Sequence, residues 1–243
     1  MNTIELCLLP ELYPHRKTTG NHVAVVVDIL RATTTITVAL EQGAQKVIPV
    51  KELHQLSELK KNGCLIVSER DGLQADFADY GNSPLQLIAA DVKDKVIAIS
   101  TTNGTRAIST VDKADSIFLG AFANISSLAN TLRGQKKDVV IVCSGWKYRF
   151  SLEDTLFAGA LCEKLLSDEA FSFDDDSVKA AIDLWKNAKD DLLNYASHTE
   201  HYKRLYTLEM GESVPFCFQS DTCSAVPLID GGTIIDGRLV ISD

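Results

Sequence analysis

The chain has 243 residues, 45% of them apolar and 23% charged, enough to build a sizeable core and unlike a disordered or fibrous sequence. Its net charge of −9 excludes general nucleic-acid binding, because no basic stripe is there to displace counterions from phosphates. A small anionic substrate is not excluded, since it needs only a local pocket of arginines and amides.

The start, "MNTIELCLLPELYP", has neither a basic leader nor a long apolar stretch, which predicts no export, no membrane span and a cytoplasmic location. "HVAVVVDILRATTTITVALEQGA" reads as a fully buried strand over 23–27 and a helix over 32–41, closed by Gly43. "KVIPV" (46–50) and "CLIVS" (64–68) read as strands around a helix over 51–62. "DYGNSP" is a turn into a helix over 84–90, with Pro84 at its first position. "KVIAISTTNGTRAIS" has a strand at 95–99 and a helix from about Thr105; "SIFLG" (116–120) is a further strand before a helix over 124–133. "VVIVCSGWKYRFSLEDTLFAGA" (139–160) repeats the strand, polar loop and helix grammar, its helix running over 153–167. The acidic "SDEAFSFDDDS" (167–177) reads as a surface loop before a helix over 175–195. Residues 191–211 read as helix and then loop with a solvated charged face, and "GTIIDGRLVIS" as a last strand.

Continuous apolar strands alternating with helices, without a Pro/Gly/Ser linker, predict one α/β domain over 1–243. It should be a three-layer α/β/α structure on a mostly parallel central sheet. Ligands of such sheets bind at the carboxyl ends of strands, so the polar loops after residues 27, 99 and 143 should meet at one sheet edge.

Each loop carries chemistry and a plainer alternative. Asp28 at a strand end suits a divalent cation, and Arg31 can clamp an oxyanion bidentately beside Thr33, Thr34 and Thr35. Alternatively Asp28 caps the helix and pairs with Arg31. Position 30 is Leu, so the Asp-x-Asp of aspartyl-phosphate phosphatases is absent. "STTNGTRA" (100–107) joins hydroxyls, an amide, a permissive glycine and an arginine at a helix start, an anion site or an elaborate cap. Cys143 and Arg149 have the Cys-x5-Arg spacing of a thiol phosphatase. Val142 and Phe150 replace the expected His and hydroxyl, and bulky Trp146 and Tyr148 would crowd the loop. Ser151 and Asp154 fit a capping box, which leaves Glu153 freer to face a metal ion or water. The stretch 68–84, with Glu69 and Arg70, is either a loop over the site or plain surface. The five histidines show no metal-ligand spacing and read as surface or core residues. The six cysteines make no C-x-x-C pair and read as reduced, mostly buried thiols.

"VDILRATTT", "GNSP", "TTNGTRA", "SLEDTLFAGA" and the stretch from Asp221 to Pro227 together resemble the 2-phosphosulfolactate phosphatase family, in order over about residues 20–230. The resemblance implies a magnesium-dependent phosphatase that converts 2-phosphosulfolactate to sulfolactate and phosphate, a step of coenzyme M synthesis in archaea; the alternatives are a phosphatase for another small phosphorylated hydroxy acid and a non-catalytic anion-binding protein, which would need no carboxylates near its arginines. It implies catalytic roles for Asp28, Arg31, Arg106 and Glu153, with Mg²⁺ on Asp28, Glu153 and Asp154. The expected substrate contacts are Thr33, Thr34, Asn82, Thr101, Thr102, Asn103, Gly104, Thr105, Ser144 and Gly145; Asp79 and Gly81 are carried over with them. A homodimer is the expected assembly. Arg149 has no counterpart in the pattern, which favours metal over thiol chemistry, and "ADFADYGNSP" departs from the family's Gly-Phe-Asp-x-Gly-Asn-Ser-Pro.

Overall fold

β-Branched and apolar runs supply the strands. In chain order they are β1 (Asn2–Cys7), β2 (His22–Val27), β3 (Lys46–Pro49), β4 (Leu65–Arg70), β5 (Leu73–Gln74), β6 (Val96–Ser100), β7 (Ser116–Gly120), β8 (Asp138–Cys143), β9 (Phe171–Ser172), β10 (Pro227–Asp230) and β11 (Thr233–Asp236). The helices are α1 (Ala32–Glu41), α2 (Leu53–Lys61), α3 (Pro84–Ala89), α4 (Gly104–Thr110), α5 (Ile125–Gln135), α6 (Leu152–Leu165), α7 (Asp176–Ala188), α8 (Leu192–Ser197), α9 (Glu200–Thr207) and α10 (Val214–Cys217). The structure, a computed structural model, describes residues 1–70, 73–167, 169–208 and 210–240. Parts of four sequence readings, at 71–72, 168, 209 and 241–242, lie outside them. None of its helices is long and apolar enough to cross a membrane among the described residues.

One sheet runs β5-β4-β6-β3-β11-β10-β7-β2-β8-β1-β9. β2, whose six residues are all buried, pairs in parallel with β7 and β8, and β6 pairs in parallel with β3 and β4. The sheet is mostly parallel, as expected, and helices cover both faces. Val23, Val25 and Val27 pack with α5, α6 and α7 on one face; Ala24 and Val26 pack with α1, α3 and α4 on the other. The second cluster also takes Val47, Ile97 and Ile99 from the β3–β6 half, so α1 and α4 lie between the two halves.

The halves are joined by the β10–β11 hairpin, turned at Gly231 and Gly232, both at positive φ. Its contacts with β7 and β3 are antiparallel, through Leu228↔Phe118 and Ile234↔Val47. Strand direction therefore reverses between β7 and β3, and in a flat sheet β2 and β6 would end at opposite edges. Twist corrects this: five steps of roughly 20–25° turn β6 by about 100–125° relative to β2. Their carboxyl ends meet, and a Cβ on Gly104 would lie 2.6 Å from Ala32 Cβ and 3.2 Å from Asp28 Oδ2.

Three segments differ from their sequence readings. The N-terminal stretch, to which the sequence assigned no element, forms β1 beside β8, with Ile4, Leu6 and Cys7 buried. "SDEAFSFDDDS" is more than a surface loop: Phe171 and Ser172 pair with β1, and Asp175 caps α7 while accepting Leu6 N–H. The helix expected over 175–195 breaks after Ala188 into a 3-10 turn before α8.

Candidate active site

Four strand ends and one helix surround a small cavity of about 20 Å³. It is lined by Asp28, Leu30 and Arg31 after β2, Glu69 in β4, Asn82 before α3, Thr101, Thr102 and Asn103 after β6, Trp146 after β8, and His201, Arg204 and Leu205 of α9.

Asp28 holds the start of α1, accepting Ala32 N–H at Oδ1, 3.2 Å. The capping reading is thus correct for one oxygen, while Oδ2 lies toward α4. Burial pushes its carboxyl up to about 6; the charge of His201 and the Ala32 bond oppose this, and Glu69 and Glu153 add repulsion. Arg31 does not pair with Asp28. It is 4% exposed and donates to Ser213 Oγ at 2.8 Å and Met210 Sδ at 3.4 Å, with no carboxylate partner among the described residues. The hydrogen bonds of this buried guanidinium go to two neutral acceptors, while Glu69 and Asp28 act on it through space, so it is placed to bind an anion at the cavity wall. Thr101 Oγ1, on a residue 3% exposed, has no hydrogen-bond partner among the described residues, which makes it a ready donor to such an anion.

His201 was read from sequence as surface or core; its Nδ1 is 2.8 Å from Oε1 of Glu153, a carboxylate buried at 2%. Trp146 stacks on the ring at 5.6 Å, 14° from parallel. The imidazole is gripped at one nitrogen and one face, leaving Nε2 without a protein partner among the described residues. Arg204 lies over the same Trp146 at 5.4 Å. The charged face of 200–207 is therefore not simply solvated. Its signal was the spacing His201, Arg204, Leu205, which puts all three on one helical face. Glu69 falls in the stretch read as a loop over the site, and it lines the cavity; Trp146 carried no comparable local signal.

Several expected site residues do other work. Thr33 Oγ1 bonds the Asp28 carbonyl at 2.9 Å and Thr34 Oγ1 the Ile29 carbonyl at 3.1 Å, so both are buried braces of the β2–α1 turn. Thr105 bonds the Thr101 carbonyl. Gly104 is packed on Ala32, where a side chain has no room. Arg106 points away from the cavity, donating to Glu11 at 2.8 Å and the Ser144 carbonyl at 2.9 Å and lying over Tyr148. Asp154 accepts N–H from Ile29 (2.9 Å) and Gly145 (3.2 Å), tying the β2 and β8 loops, while its own N–H caps onto Ser151. Burial, then repulsion from Glu153 and Asp28, raises its carboxyl well above the usual range. Asp79 bonds Lys60 and Ile66 N–H.

The Cys-x5-Arg loop is no phosphate cradle. Trp146 and Arg149 exchange backbone hydrogen bonds at 2.9 Å around Lys147 and Tyr148, both at positive φ, so the loop closes on itself as a tight turn. Cys143 is fully buried, which raises its thiol well above the usual value, and Arg149 is exposed beside Glu200 at 3.7 Å.

Among the described residues, no three His, Cys, Asp or Glu side chains are grouped as a metal cage. Asp28 and Glu69, whose Oε1 accepts from Thr102 Oγ1 at 3.2 Å, are the carboxylates on this cavity, a set that would suit a Mg²⁺ taking most of its ligands from water and substrate oxygens. Glu153, engaged by His201, and Asp154, engaged by two amides, are not placed as its first ligands.

The family profile of 2-phosphosulpholactate phosphatase matches residues 7–232. A probable 2-phosphosulfolactate phosphatase of Caldanaerobacter subterraneus subsp. tengcongensis is 40% identical over 214 residues, 86% of this chain and 88% of its own. Proteins of the same name from Thermotoga petrophila (212 residues; 87% of this chain, 91% of theirs) and Pseudothermotoga lettingae (226 residues; 93% and 95%) are each 36% identical.

Proposed function

This chain belongs to the 2-phosphosulpholactate phosphatase family, and from that premise we propose that it is a magnesium-dependent phosphatase. It hydrolyses 2-phosphosulfolactate, or a phosphate ester of a closely related 2-hydroxy acid, to the free hydroxy acid and phosphate. The observation that carries this reading is Arg31, buried and without a carboxylate hydrogen-bond partner among the described residues, on the same small cavity as Asp28, Thr101 and His201.

Arg31 and the Thr101 hydroxyl bind phosphoryl oxygens and offset the charge that spreads over them in the transition state. Asp28 and Glu69 would hold Mg²⁺. Bound there, the ion supplies charge neutralisation at the phosphoryl group and orients oxygen ligands. Glu153 and Trp146 fix the His201 ring so that Nε2 faces the reacting bond. In the loose transition state of phosphoryl transfer, the bond from phosphorus to the ester oxygen breaks as the bond to water forms. The ester oxygen takes a proton from His201 Nε2; the water's protons leave with the product phosphate, from which the ring is recharged. Leu205 and Trp146 limit access of bulk water.

The test is phosphate release from 2-phosphosulfolactate with and without EDTA, then with Mg²⁺ restored. Asp28→Asn should demand far more Mg²⁺, whereas Arg31→Lys should lose turnover at an unchanged Mg²⁺ requirement, because it keeps the charge but not the fork. Activity indifferent to EDTA in both the wild type and Asp28→Asn would refute the metal assignment.

A further inference from the structure

We propose that Met210 is an oxidative modification site: a peroxide converts its thioether to the sulfoxide, and the oxygen gained holds Arg31 back from the phosphoryl group. This rests on the phosphatase reading and adds a control on the same site. Arg31 donates to Ser213 Oγ at 2.8 Å and to Met210 Sδ at 3.4 Å. Ser213 Oγ in turn donates to the Met210 carbonyl at 3.2 Å, so both acceptors sit on one short turn. A thioether is a weak acceptor, so the N–H on sulfur is the one a phosphoryl oxygen recruits at least loss. A sulfoxide oxygen is polar and accepts strongly. Carried on Sδ, it stands beside the same N–H and makes a charge-assisted hydrogen bond that the phosphoryl oxygen has to displace.

Access and chemistry both single out this sulfur. Met210 is half-buried and lines a chamber of about 340 Å³, ample for a molecule the size of hydrogen peroxide. The step balances between the two reactants. The sulfur lone pair bonds one peroxide oxygen as the O–O bond breaks, and the proton on that oxygen passes to the departing hydroxide. Sulfur is oxidised by two electrons and the peroxide is reduced to water. The chain has one other methionine, Met1, which is 80% exposed ahead of β1. The buried thiols compete poorly. Burial pushes Cys162 and Cys217 up to about 12 and Cys143 well above its usual value, which leaves almost no reactive thiolate. Cys64 is half-buried, and a disulfide or sulfenic acid there is reversed by dithiothreitol, which does not reduce a sulfoxide.

The experiment treats the full chain with hydrogen peroxide, removes the oxidant and restores thiols with dithiothreitol. Peptide mass then locates the sulfoxide, calorimetry measures the affinity for inorganic phosphate, and phosphate release from 2-phosphosulfolactate gives kcat/KM. The expected result is conversion at Met210 and a loss of about tenfold in both phosphate affinity and kcat/KM, the worth of one charge-assisted hydrogen bond. Dithiothreitol alone should restore neither, and methionine sulfoxide reductases A and B should restore both. Met210→Leu, judged against its own untreated activity, should lose nothing to peroxide while Met1 is still oxidised. A Met210 that stays reduced when Met1 is converted, oxidation that leaves phosphate affinity unmoved, or an equal loss in Met210→Leu overturns the proposal and leaves the phosphatase reading standing. No phosphate release from the untreated protein overturns both.

Discussion

Gly104→Ala tests the meeting of the β2 and β6 loops, on which the candidate site depends. The added methyl would stand 2.6 Å from Ala32 Cβ and 3.2 Å from both Asp28 Oδ2 and Thr101 Oγ1. Carbon atoms prefer about 3.5–4.0 Å, so α1 and α4 must separate by about 1 Å. Overpacking of this kind costs about 1–3 kcal/mol. Gly104 opens α4 without a positive φ, so alanine's better helix propensity returns up to about 1 kcal/mol. The net loss is about 1–2 kcal/mol, or about 2–8 °C in Tm for a chain of this size. Catalysis should suffer more, because Asp28 and Thr101 move apart: about 100-fold in kcat/KM for a displacement near 1 Å. Gly134→Ala is the control, an exposed position of α5 where the methyl meets nothing within 4 Å. There the same substitution should raise stability by about 0.5–1 kcal/mol and leave turnover unchanged. The assays are thermal melting and steady-state phosphate release. Wild-type kcat/KM and Tm in Gly104→Ala would refute the close approach of the two loops.

Arg106→Ala should lower stability by about 1 kcal/mol through its bond to the Ser144 carbonyl, with KM nearly unchanged, whereas a direct hold on the phosphate predicts a large rise in KM. His201→Gln should lower kcat by about 10²–10⁴ if Nε2 moves the proton. Glu153→Gln should lower it less and alter the pH profile, since the ring stays in place but loses its carboxylate partner; equal and complete loss of fold in both would point to a purely structural pair. Cys143→Ser should keep most of its activity and lose stability, because the thiol is buried away from the cavity; a thousandfold loss in a folded protein would restore the thiol mechanism.

Local patterns in this chain determine whatever depends on neighbours in sequence. Five consecutive apolar residues at 23–27 need cover on both faces, which dictates a central strand, and β2 is buried throughout. Pro84 and Ser151 mark helix starts by chemistry confined to one turn, and α3 and α6 begin there. Asp28, Arg31 and the 101–103 loop were legible as candidate site residues because they sit within four residues of strand ends. Tertiary structure decided the rest. Whether an arginine faces a ligand depends on which acceptors surround it, so Arg31 and Arg106, alike in sequence context, part ways: one is left on Ser213 and Met210, the other taken by Glu11 and Ser144. Asp154 became a tie because the amides of Ile29 and Gly145, far apart in sequence, converge on it. The β10–β11 hairpin reverses the sheet, and only accumulated twist returns β6 to β2, a geometry no local window contains. His201 joins Glu153 across 48 residues because α9 packs over the strand ends. Its sequence spacing showed a helical face; which surface that face covers is set by long-range packing.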